Sequence, residues 1–451
     1  MTYIARKIDQ DLLSWKAAPQ RKPLLLRGAR QVGKSRAIRQ LGTEFEYLLE
    51  INFEERRQVH KAFEGDLDPR MLCETLSALY NVPIIAGRTL LFFDEIQACL
   101  PAISSLRFFY EKYPELHVIA AGSLLEFALA ELPSFGVGRV RSMFVYPLSF
   151  NEYLHALGED ALLSMKIQAS SVAPLAAPVH EKLVQHLKRF LLLGGMPEVI
   201  ATYVESRDFI QCGRVLDDLI TSLKADFIKY NTNVPFLRIA EVFDSVVQQS
   251  GTKFMYSKAA VQSSYRQIKE ATDLLSLGGL IIPVTHTAAN GLPLGAELNP
   301  KHRKLLLLDT GIFQRLLRLN IGEVLTETDF DAINKGAIAE QFVGLELLKA
   351  SSTYTQEELF YWHREAKSSN AEVDYVVQKE QAIVPVEVKS GRKGSMRSMQ
   401  IFLQEKKSAY GIRVALENFG RVDDIEIVPL YAIGDWYGQA SNEAAIPSLH
   451  R

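Results

Sequence analysis

Short apolar runs separated by helical patterns dominate the first third of the chain. The runs are bounded by turn residues and cover Leu24–Leu26, Tyr47–Phe53, Thr89–Phe93 and His117–Ala121. Between them, helical patterns extend over Lys34–Leu41, Arg70–Tyr80 and Ile103–Tyr113. Buried strands that alternate with helices are typical of a parallel sheet covered on both faces. The pattern therefore predicts a parallel α/β domain over residues 1–150.

The rest of the chain divides into three further regions and a tail. Residues 151–250 have a helical pattern throughout. Residues 251–325 combine short helices with two strand-like runs, Leu280–Thr285 and Lys304–Leu308, which is the pattern of a winged helix. Residues 326–437 begin with a helix and continue with strands at Glu372–Val377 and Ala382–Lys389. We expect a multidomain α/β protein that ends in a frayed tail at residues 438–451.

Composition narrows the class of protein further. The 451 residues are 47% hydrophobic and 23% charged, which excludes a disordered chain and a disulfide scaffold. The net charge of −2 gives no overall basic field, so any nucleic-acid-binding surface must be local. The apolar runs are far shorter than the ~20 residues of a membrane span, and we expect no secretory signal. Cys73, Cys99 and Cys212 have no CxxC spacing, which indicates a reducing, cytoplasmic location.

A glycine-rich loop joins the first predicted strand to the helix that follows it. Its sequence has the pattern GxxxxGK[ST] and reads Gly28-Ala29-Arg30-Gln31-Val32-Gly33-Lys34-Ser35. Backbone N–H groups of such a loop surround phosphates, and the N-terminus of the helix adds partial positive charge. Lys34 is expected to reach the β- and γ-phosphates, and the Ser35 hydroxyl to coordinate Mg²⁺. The loop predicts that these eight residues bind ATP.

Polar residues at the ends of later strands complete this candidate site. Asp94 and Glu95 follow an apolar strand, where Asp94 would hold Mg²⁺ and Glu95 would polarise the attacking water. Ser123 follows the next strand and could orient the same water. Arg139 offers a guanidinium for charge in the transition state, and the alternative is an ordinary surface arginine in a loop.

A second group of candidate catalytic residues lies in the last region. Residues two apart on a strand face the same side, so Glu387 and Lys389 project together, and Asp374 on the preceding strand can face them. Two carboxylates can hold a divalent cation, and a lysine beside them can orient or deprotonate water. Glu340 could supply a third carboxylate from the preceding helical pattern. The alternative is a solvated strand on which Glu387 and Lys389 form a surface ion pair.

Two basic clusters could contact nucleic-acid phosphates, although such clusters are often only solvated surface. They are Lys301-His302-Arg303-Lys304 in the predicted wing, and Lys389, Arg392, Lys393 and Arg397 after the carboxylates. The histidines show no HExxH or similar spacing, so the sequence does not indicate a zinc hydrolase, and His363 is expected to be structural.

These motifs resemble the AAA-type branch of P-loop ATPases. The chain is similar over nearly its whole length to a widespread bacterial and archaeal family of predicted ATPases. In that family, a C-terminal domain of unknown function is related to PD-(D/E)xK nucleases. The segments that carry the resemblance are LLRGARQVGKS, LLFFDEIQ, IAAGSLLEF, YPLSFNEYL, LLLGGMPEVI, LLLLDTGI, GAIAEQFVGLEL, AEVDYVV and VPVEVKSG.

The resemblance implies a restriction-endonuclease-like fold for the last domain, with Glu340, Asp374, Glu387 and Lys389 at the positions of the nuclease core. It also places Arg139 at the family's Gly-Arg position, where a neighbouring subunit supplies an arginine in ring-forming ATPases. We therefore expect an ATP-hydrolysing homo-oligomer that uses Mg²⁺, with a possible second divalent cation at Asp374 and Glu387, and that acts on DNA or RNA. The alternative is an ATP-switched regulatory module whose C-terminal domain is catalytically inactive and docks a partner protein or nucleic acid.

Overall fold

The computed structural model of the protein contains two β-sheets joined by a helical region. It describes residues 3–131, 138–230, 234–259, 263–318, 335–364, 371–389 and 396–442. The tail predicted at 438–451 lies mostly outside these residues, as do Arg392 and Lys393 of the second basic cluster. Within the described residues, no helix is both long and apolar enough to cross a membrane.

The first sheet is parallel throughout, and its strand order is β2-β3-β4-β1-β5. The strands are β1 (Leu24–Arg27), β2 (Tyr47–Asn52), β3 (Thr89–Asp94), β4 (His117–Ala121) and β5 (Arg141–Phe144). Alternate residues of one strand enter different cores: Leu90 and Phe92 join one hydrophobic cluster, whereas Leu91 and Phe93 join the other. This burial on both faces explains the continuous apolar runs. The predicted parallel α/β domain is confirmed.

Helices cover this sheet and then continue as the middle of the chain. The helices of the first domain are α1 (Lys7–Ala17), α2 (Lys34–Gly42), α3 (Pro69–Tyr80), α4 (Leu100–Lys112) and α5 (Leu125–Glu131). Those of the middle are α6 (Phe150–Ala156), α7 (Asp160–Gln168), α8 (Ala177–Leu193), α9 (Pro197–Ser206), α10 (Phe209–Ala225), α11 (Phe236–Gln248) and α12 (Tyr265–Leu277). Local signals fix several helix starts: Asp208, for example, accepts hydrogen bonds from the N–H groups of Ile210 and Gln211 at the start of α10.

The second sheet is mixed, and its order is β12-β13-β11-β10-β9-β8-β6-β7. Its strands are β6 (Ile281–Thr287), β7 (Leu298–Leu307), β8 (Leu359–His363), β9 (Glu372–Lys379), β10 (Ala382–Val388), β11 (Gly411–Ala415), β12 (Gly420–Val422) and β13 (Ile425–Pro429). The accompanying helices are α13 (Thr310–Leu316), α14 (Lys335–Ala350), α15 (Arg397–Lys406) and α16 (Ile433–Asn442). The predicted hairpin of β9 and β10 is present.

The predicted winged-helix region at 251–325 differs from the structure. Its two strands pair with each other as β6 and β7, but β6 also pairs in parallel with β8, so that Val284 lies opposite Leu359. The strand pair therefore extends the C-terminal sheet instead of forming a separate wing. The sequence pattern did not indicate this pairing, because it shows strands but not their distant partners.

The Gly-Gly-Met-Pro-Glu segment, residues 194–198, contacts distant parts of the chain on both sides. The Gly195 N–H donates to Asp309 Oδ2 at 2.6 Å, and the Gly195 carbonyl accepts from the Leu148 N–H at 2.6 Å. A Cβ at Gly194 would overlap the Asp309 carboxylate, so the approach requires glycine. Within the segment, the side chain of Pro197 lies against Gly33 of the glycine-rich loop. It therefore fixes the start of α9 beside that loop.

Candidate functional site

The glycine-rich loop runs from the end of β1 to the start of α2. Gly28 has a φ of 140°, and a Cβ there would overlap the carbonyl oxygen of Val145; Gly33 has a φ of 97°. Both positions therefore need glycine. All eight residues predicted to bind ATP lie in this turn or in the first residues of α2. The turn has the form of a phosphate loop at a helix N-terminus.

Lys34 is buried at the centre of this loop. Its Nζ donates to the carbonyl oxygens of Gly28 at 2.9 Å and Ala29 at 2.7 Å. Burial lowers the pKa of the ammonium to about 8, although Glu95 and Asp94 oppose this shift. The lysine is thus held by neutral oxygens in a desolvated site, where an anionic ligand would stabilise its charge strongly.

Ser35 and Asp94 meet beside the loop. The Ser35 hydroxyl donates to Asp94 Oδ1 at 2.9 Å. Burial raises the pKa of Asp94, and the hydrogen bond from Ser35 only partly offsets this. A hydroxyl and a carboxylate are hard oxygen donors, so the two residues fit the chemistry of Mg²⁺.

Glu95 and Ser123 meet at the same edge of the sheet. β4 lies between β1 and β3, so Ser123, just after β4, lies between the loop and the carboxylates. Glu95 Oε2 accepts hydrogen bonds from the Ser123 hydroxyl at 3.0 Å and from Gln97 Nε2 at 2.6 Å. Burial raises the pKa of Glu95, but hydrogen bonds from Gln97 and Ser123 outweigh it, so the pKa lies below its ordinary value. Glu95 is therefore a fixed, ionised carboxylate.

Arg139 lies on the surface of this chain. Its Nε is 2.5 Å from Glu111 Oε1, near the end of α4, and 43% of its side chain is exposed. The structure therefore brings Lys34, Ser35, Asp94, Glu95 and Ser123 together, and it places Arg139 in an exposed ion pair.

Two contacts of the loop have no signal in the sequence. The Arg30 guanidinium forms an ion pair with Asp226, which is buried just after α10. Ala29 lies against Gly279, in the turn between α12 and β6. A cavity of about 470 Å³ borders the loop, and its lining includes Gly28, Ala29, Ser123, Gly279 and Arg303. The helical region and the second sheet therefore both reach the phosphate loop.

The second group of predicted residues converges on one face of the C-terminal sheet. Val386 lies opposite Tyr375 in the β9–β10 hairpin, so Asp374 and Glu387 continue this register on the same side. Asp374 Oδ2 accepts from the Val388 N–H at 2.8 Å, and Glu387 Oε1 accepts from Lys389 Nζ at 2.6 Å. Glu387 is only 5% exposed, so this ion pair is not the solvated one considered from the sequence.

Lys304 lies inside the protein, whereas the sequence predicted it on the surface. It belongs to the predicted basic surface cluster, yet its side chain is 1% exposed. Its Nζ lies 2.8 Å from Glu340 Oε1, 2.6 Å from Glu372 Oε1 and 3.5 Å from Asp374 Oδ1. The ammonium therefore contacts Asp374, which is one of the two residues at which the sequence predicts a second divalent cation. We call Lys304, Glu340, Glu372, Asp374 and Glu387 the carboxylate cluster.

The pKa values in this cluster reflect an excess of negative charge. Burial lowers the pKa of Lys304, but Glu340, Asp374 and Glu372 outweigh it, so the pKa is raised above its ordinary value. Burial raises the pKa of Glu340 to about 7 although Lys304 opposes the shift, and burial together with Asp374 raises that of Glu387 to about 7. The pKa values of the lysine and the glutamates are thus raised for different reasons: nearby carboxylates raise that of Lys304, whereas burial is the main cause for Glu340 and Glu387. The cluster therefore favours uptake of a proton near neutral pH.

Comparison with known proteins gives a family for the first domain. Residues 20–154 match the model of an AAA domain. Residues 184–322 and 335–433 match two domains of unknown function, DUF8612 and DUF4143. No curated protein matches the chain.

Two solved structures show limited likeness to the chain. The Walker-type ATPase PABY2304 of Pyrococcus abyssi is 14% identical, with a TM-score of 0.45 over 70% of this chain and 96% of that one. The Aeropyrum pernix Orc1 protein, solved in complex with DNA, is 11% identical, with a TM-score of 0.28 over 70% of this chain and 92% of that one. The match therefore assigns residues 20–154 to an AAA domain, and the glycine-rich loop within it has the geometry of a P-loop.

Proposed function

We propose that the protein hydrolyses ATP at the phosphate loop and that this turnover controls a nuclease-like C-terminal domain, which binds DNA or RNA. The proposal rests on the arrangement of polar side chains at one edge of the first sheet. There, the Ser35–Asp94 hydrogen bond of 2.9 Å and the Glu95–Ser123 hydrogen bond of 3.0 Å flank the buried Lys34. These are the parts that phosphoryl transfer to water needs: a cation for the phosphates, oxygen ligands for Mg²⁺ and a carboxylate for the water.

Each residue has a distinct part in this reaction. Lys34 exchanges the carbonyl oxygens of Gly28 and Ala29 for phosphate oxygens of ATP. Ser35 and Asp94 would hold Mg²⁺, which would supply positive charge to the phosphates of ATP. Glu95 accepts a hydrogen bond from the attacking water and orients it, and Ser123 holds Glu95 in place. The lowered pKa of Glu95 keeps this acceptor ionised at neutral pH.

The contacts around the loop support a route from ATP to the rest of the chain. ATP brings negative charge to the loop that carries Arg30, so it competes with Asp226 for that guanidinium. Release of Asp226 would free the end of α10, and the contact of Ala29 with Gly279 joins the loop to the start of β6. Nucleotide binding is thereby coupled to both the helical region and the C-terminal sheet.

The test of ATP hydrolysis is the substitution Glu95→Gln. It keeps Asp94 and Lys34, so the variant should bind ATP but turn it over at least about 100-fold more slowly than the wild type. ATP binding is measured by calorimetry and turnover by phosphate release. The matched control is Glu74→Gln on the exposed side of α3, which should hydrolyse ATP normally. Normal turnover by Glu95→Gln would mean that another residue orients the water.

The C-terminal domain is proposed to dock nucleic acid without cutting it, because the Lys304 ammonium lies 3.5 Å from Asp374, a carboxylate that a catalytic cation would need. A partner protein in place of nucleic acid is the alternative ligand. These ligands are distinguished by measuring ATP turnover with DNA, with RNA and without nucleic acid. A turnover rate that neither nucleic acid changes would favour a protein partner.

Cleavage of nucleic acid is a second candidate function. The convergence of Asp374, Glu387 and Lys389 favours it. The experiment is a cleavage assay on DNA and RNA with Mg²⁺ or Mn²⁺, with and without ATP. Cleavage by the wild type that disappears in Asp374→Asn would establish the nuclease and overturn the docking proposal.

We also propose a homo-oligomer in which Arg139 reaches the ATP of a neighbouring subunit. Its exposed position beside Glu111 is compatible with such a contact. Mixing Arg139→Ala subunits with Lys34→Ala subunits should restore part of the ATP turnover, because some mixed interfaces contain both intact residues. Full activity in a strictly monomeric protein would rule this arrangement out.

A further inference from the structure

Three histidines from three neighbouring strands form a cluster next to the carboxylate cluster. They are His286 on β6, His302 on β7 and His363 on β8, and the sheet order β8-β6-β7 makes these strands adjacent. The ring centroids lie 4.1 Å apart for His286 and His363, 4.9 Å for His302 and His363, and 5.9 Å for His286 and His302. We call these residues the histidine cluster.

The ring nitrogens of the histidine cluster are close enough to share one ion. One nitrogen from each residue lies within 4.8 Å of the other two. A tetrahedral zinc ion with Zn–N bonds of about 2.0–2.1 Å separates its nitrogen ligands by roughly 3.3 Å. His302 and His363 are only partly buried, so their rings have room to rotate toward this spacing.

A backbone hydrogen bond determines which nitrogen of His286 can bind a metal. His286 Nε2 lies 3.2 Å from the carbonyl oxygen of His363. A carbonyl oxygen can only accept, so Nε2 carries the proton and donates it. In the neutral ring, Nδ1 is then the nitrogen that carries the lone pair. Metal-binding histidines commonly have such a second hydrogen bond, which fixes the tautomer and orients the ring.

The surroundings favour a cation at this position. His363 lies opposite Glu372 in the β8–β9 pairing, so the histidine cluster borders the carboxylate cluster. There, Lys304 alone contacts three carboxylates, those of Glu340, Glu372 and Asp374, which leaves an excess of negative charge nearby. A divalent ion bound by neutral imidazoles would reduce this excess.

We propose that His286, His302 and His363 together bind one Zn²⁺ ion. Imidazole nitrogen is a ligand that suits zinc, whereas Mg²⁺ and Mn²⁺ prefer oxygen, so this site differs in chemistry from both carboxylate sites. Three protein ligands leave the fourth position of the ion for water. The ion ties the β6–β7 strand pair to β8, which joins the part of the sheet that contacts the phosphate loop to the part that carries Asp374 and Glu387.

The test is a Zn²⁺ titration of the full-length protein after removal of metals by chelation and dialysis. Calorimetry with a competing chelator should show one equivalent bound to the wild type. His302→Gln and His363→Gln should each lower the affinity at least about 100-fold, since loss of a supporting hydrogen bond alone costs 10- to 100-fold. His155→Gln is the control, because His155 pairs with Asp160 on the surface, far along the chain from the cluster.

X-ray absorption of the Zn²⁺-loaded wild type tests the ligands without any substitution. It should detect imidazole ligands at about 2.0–2.1 Å. Thermal unfolding without metal should show that the variants of the histidine cluster remain folded. If they do not fold, the number of imidazole ligands found in the wild type tests the proposal instead. No bound zinc, a ligand set composed of oxygen, or an equal loss of affinity in His155→Gln would overturn the proposal.

Discussion

The phosphate-loop site and the carboxylate cluster both combine a buried lysine with carboxylates near strand ends, but the two lysines have different partners. Lys34 Nζ contacts neutral carbonyl oxygens at 2.7 and 2.9 Å, and burial lowers its pKa to about 8. Lys304 Nζ contacts three carboxylates, which raise its pKa. The comparison shows that a lysine held by neutral groups is ready to bind an anion, whereas a lysine held by carboxylates already serves as their counterion.

The largest expected effect is the loss of ATP turnover when Lys34 is replaced. In Lys34→Ala, the phosphates of ATP lose their buried cationic contact, so ATP turnover should fall at least about 100-fold and ATP binding should weaken. Phosphate release and calorimetry measure the two effects. If the variant turned over ATP at the wild-type rate, the assignment of the phosphate-loop site would be wrong.

The matching substitution in the carboxylate cluster is Lys304→Met. It leaves three carboxylates without their ammonium, so we expect a loss of about 3–5 kcal/mol in the free energy of unfolding. Added Mn²⁺ should restore part of this loss, because the vacated position suits a cation. Urea unfolding with and without Mn²⁺ measures both effects.

Lys301→Met is the control for this prediction, because Lys301 is exposed on the same strand. It should leave the urea midpoint unchanged. Equal effects of the two substitutions would show that Lys304 is not the internal counterion of the cluster.

The carboxylate cluster should also make the free energy of unfolding depend on pH, an effect smaller than that of Lys304→Met. The pKa values of Glu340 and Glu387 rise from 4.5 to about 7 on folding, so the folded state binds more protons than the unfolded state between these values. Their contribution to stability is therefore complete below pH 4.5 and is lost as the pH rises through 7. Glu340→Gln should reduce this loss by about 1–3 kcal/mol, measured by urea unfolding at pH 5 and pH 8.

The exposed Glu74→Gln serves again as the comparison for the pH series. It should keep the wild-type slope of stability against pH. If the wild type and Glu340→Gln lost the same amount of stability between pH 5 and pH 8, or if neither lost any, the role of the cluster would be contradicted.

The sequence predicted the parts of the structure that depend on neighbours in the chain. The phosphate loop is one continuous segment, and Asp94 and Glu95 end an apolar run whose length and burial mark a strand of the parallel sheet. Asp374 and Glu387 also follow from the spacing within a hairpin. In each of these cases, local backbone geometry determines which side chains can meet.

The remaining features depend on pairing between distant segments. Arg303 and Lys304 looked alike in a basic cluster, but adjacent strand residues point to opposite faces, and only Lys304 faces the carboxylates. The histidine cluster depends on the parallel pairing of β6 with β8, which no local pattern indicates. Gly195 likewise meets Asp309 across 114 positions of sequence.

The most direct test of this account is Mn²⁺ binding to the carboxylate cluster, measured by calorimetry without nucleotide. The wild type, Lys304→Met and the double variant Lys304→Met with Asp374→Asn are compared. We predict no binding to the cluster in the wild type, one binding event in Lys304→Met, and loss of that event in the double variant. A wild-type Mn²⁺ binding event that disappears in Asp374→Asn would contradict the account, because the lysine would then not take the place of the cation.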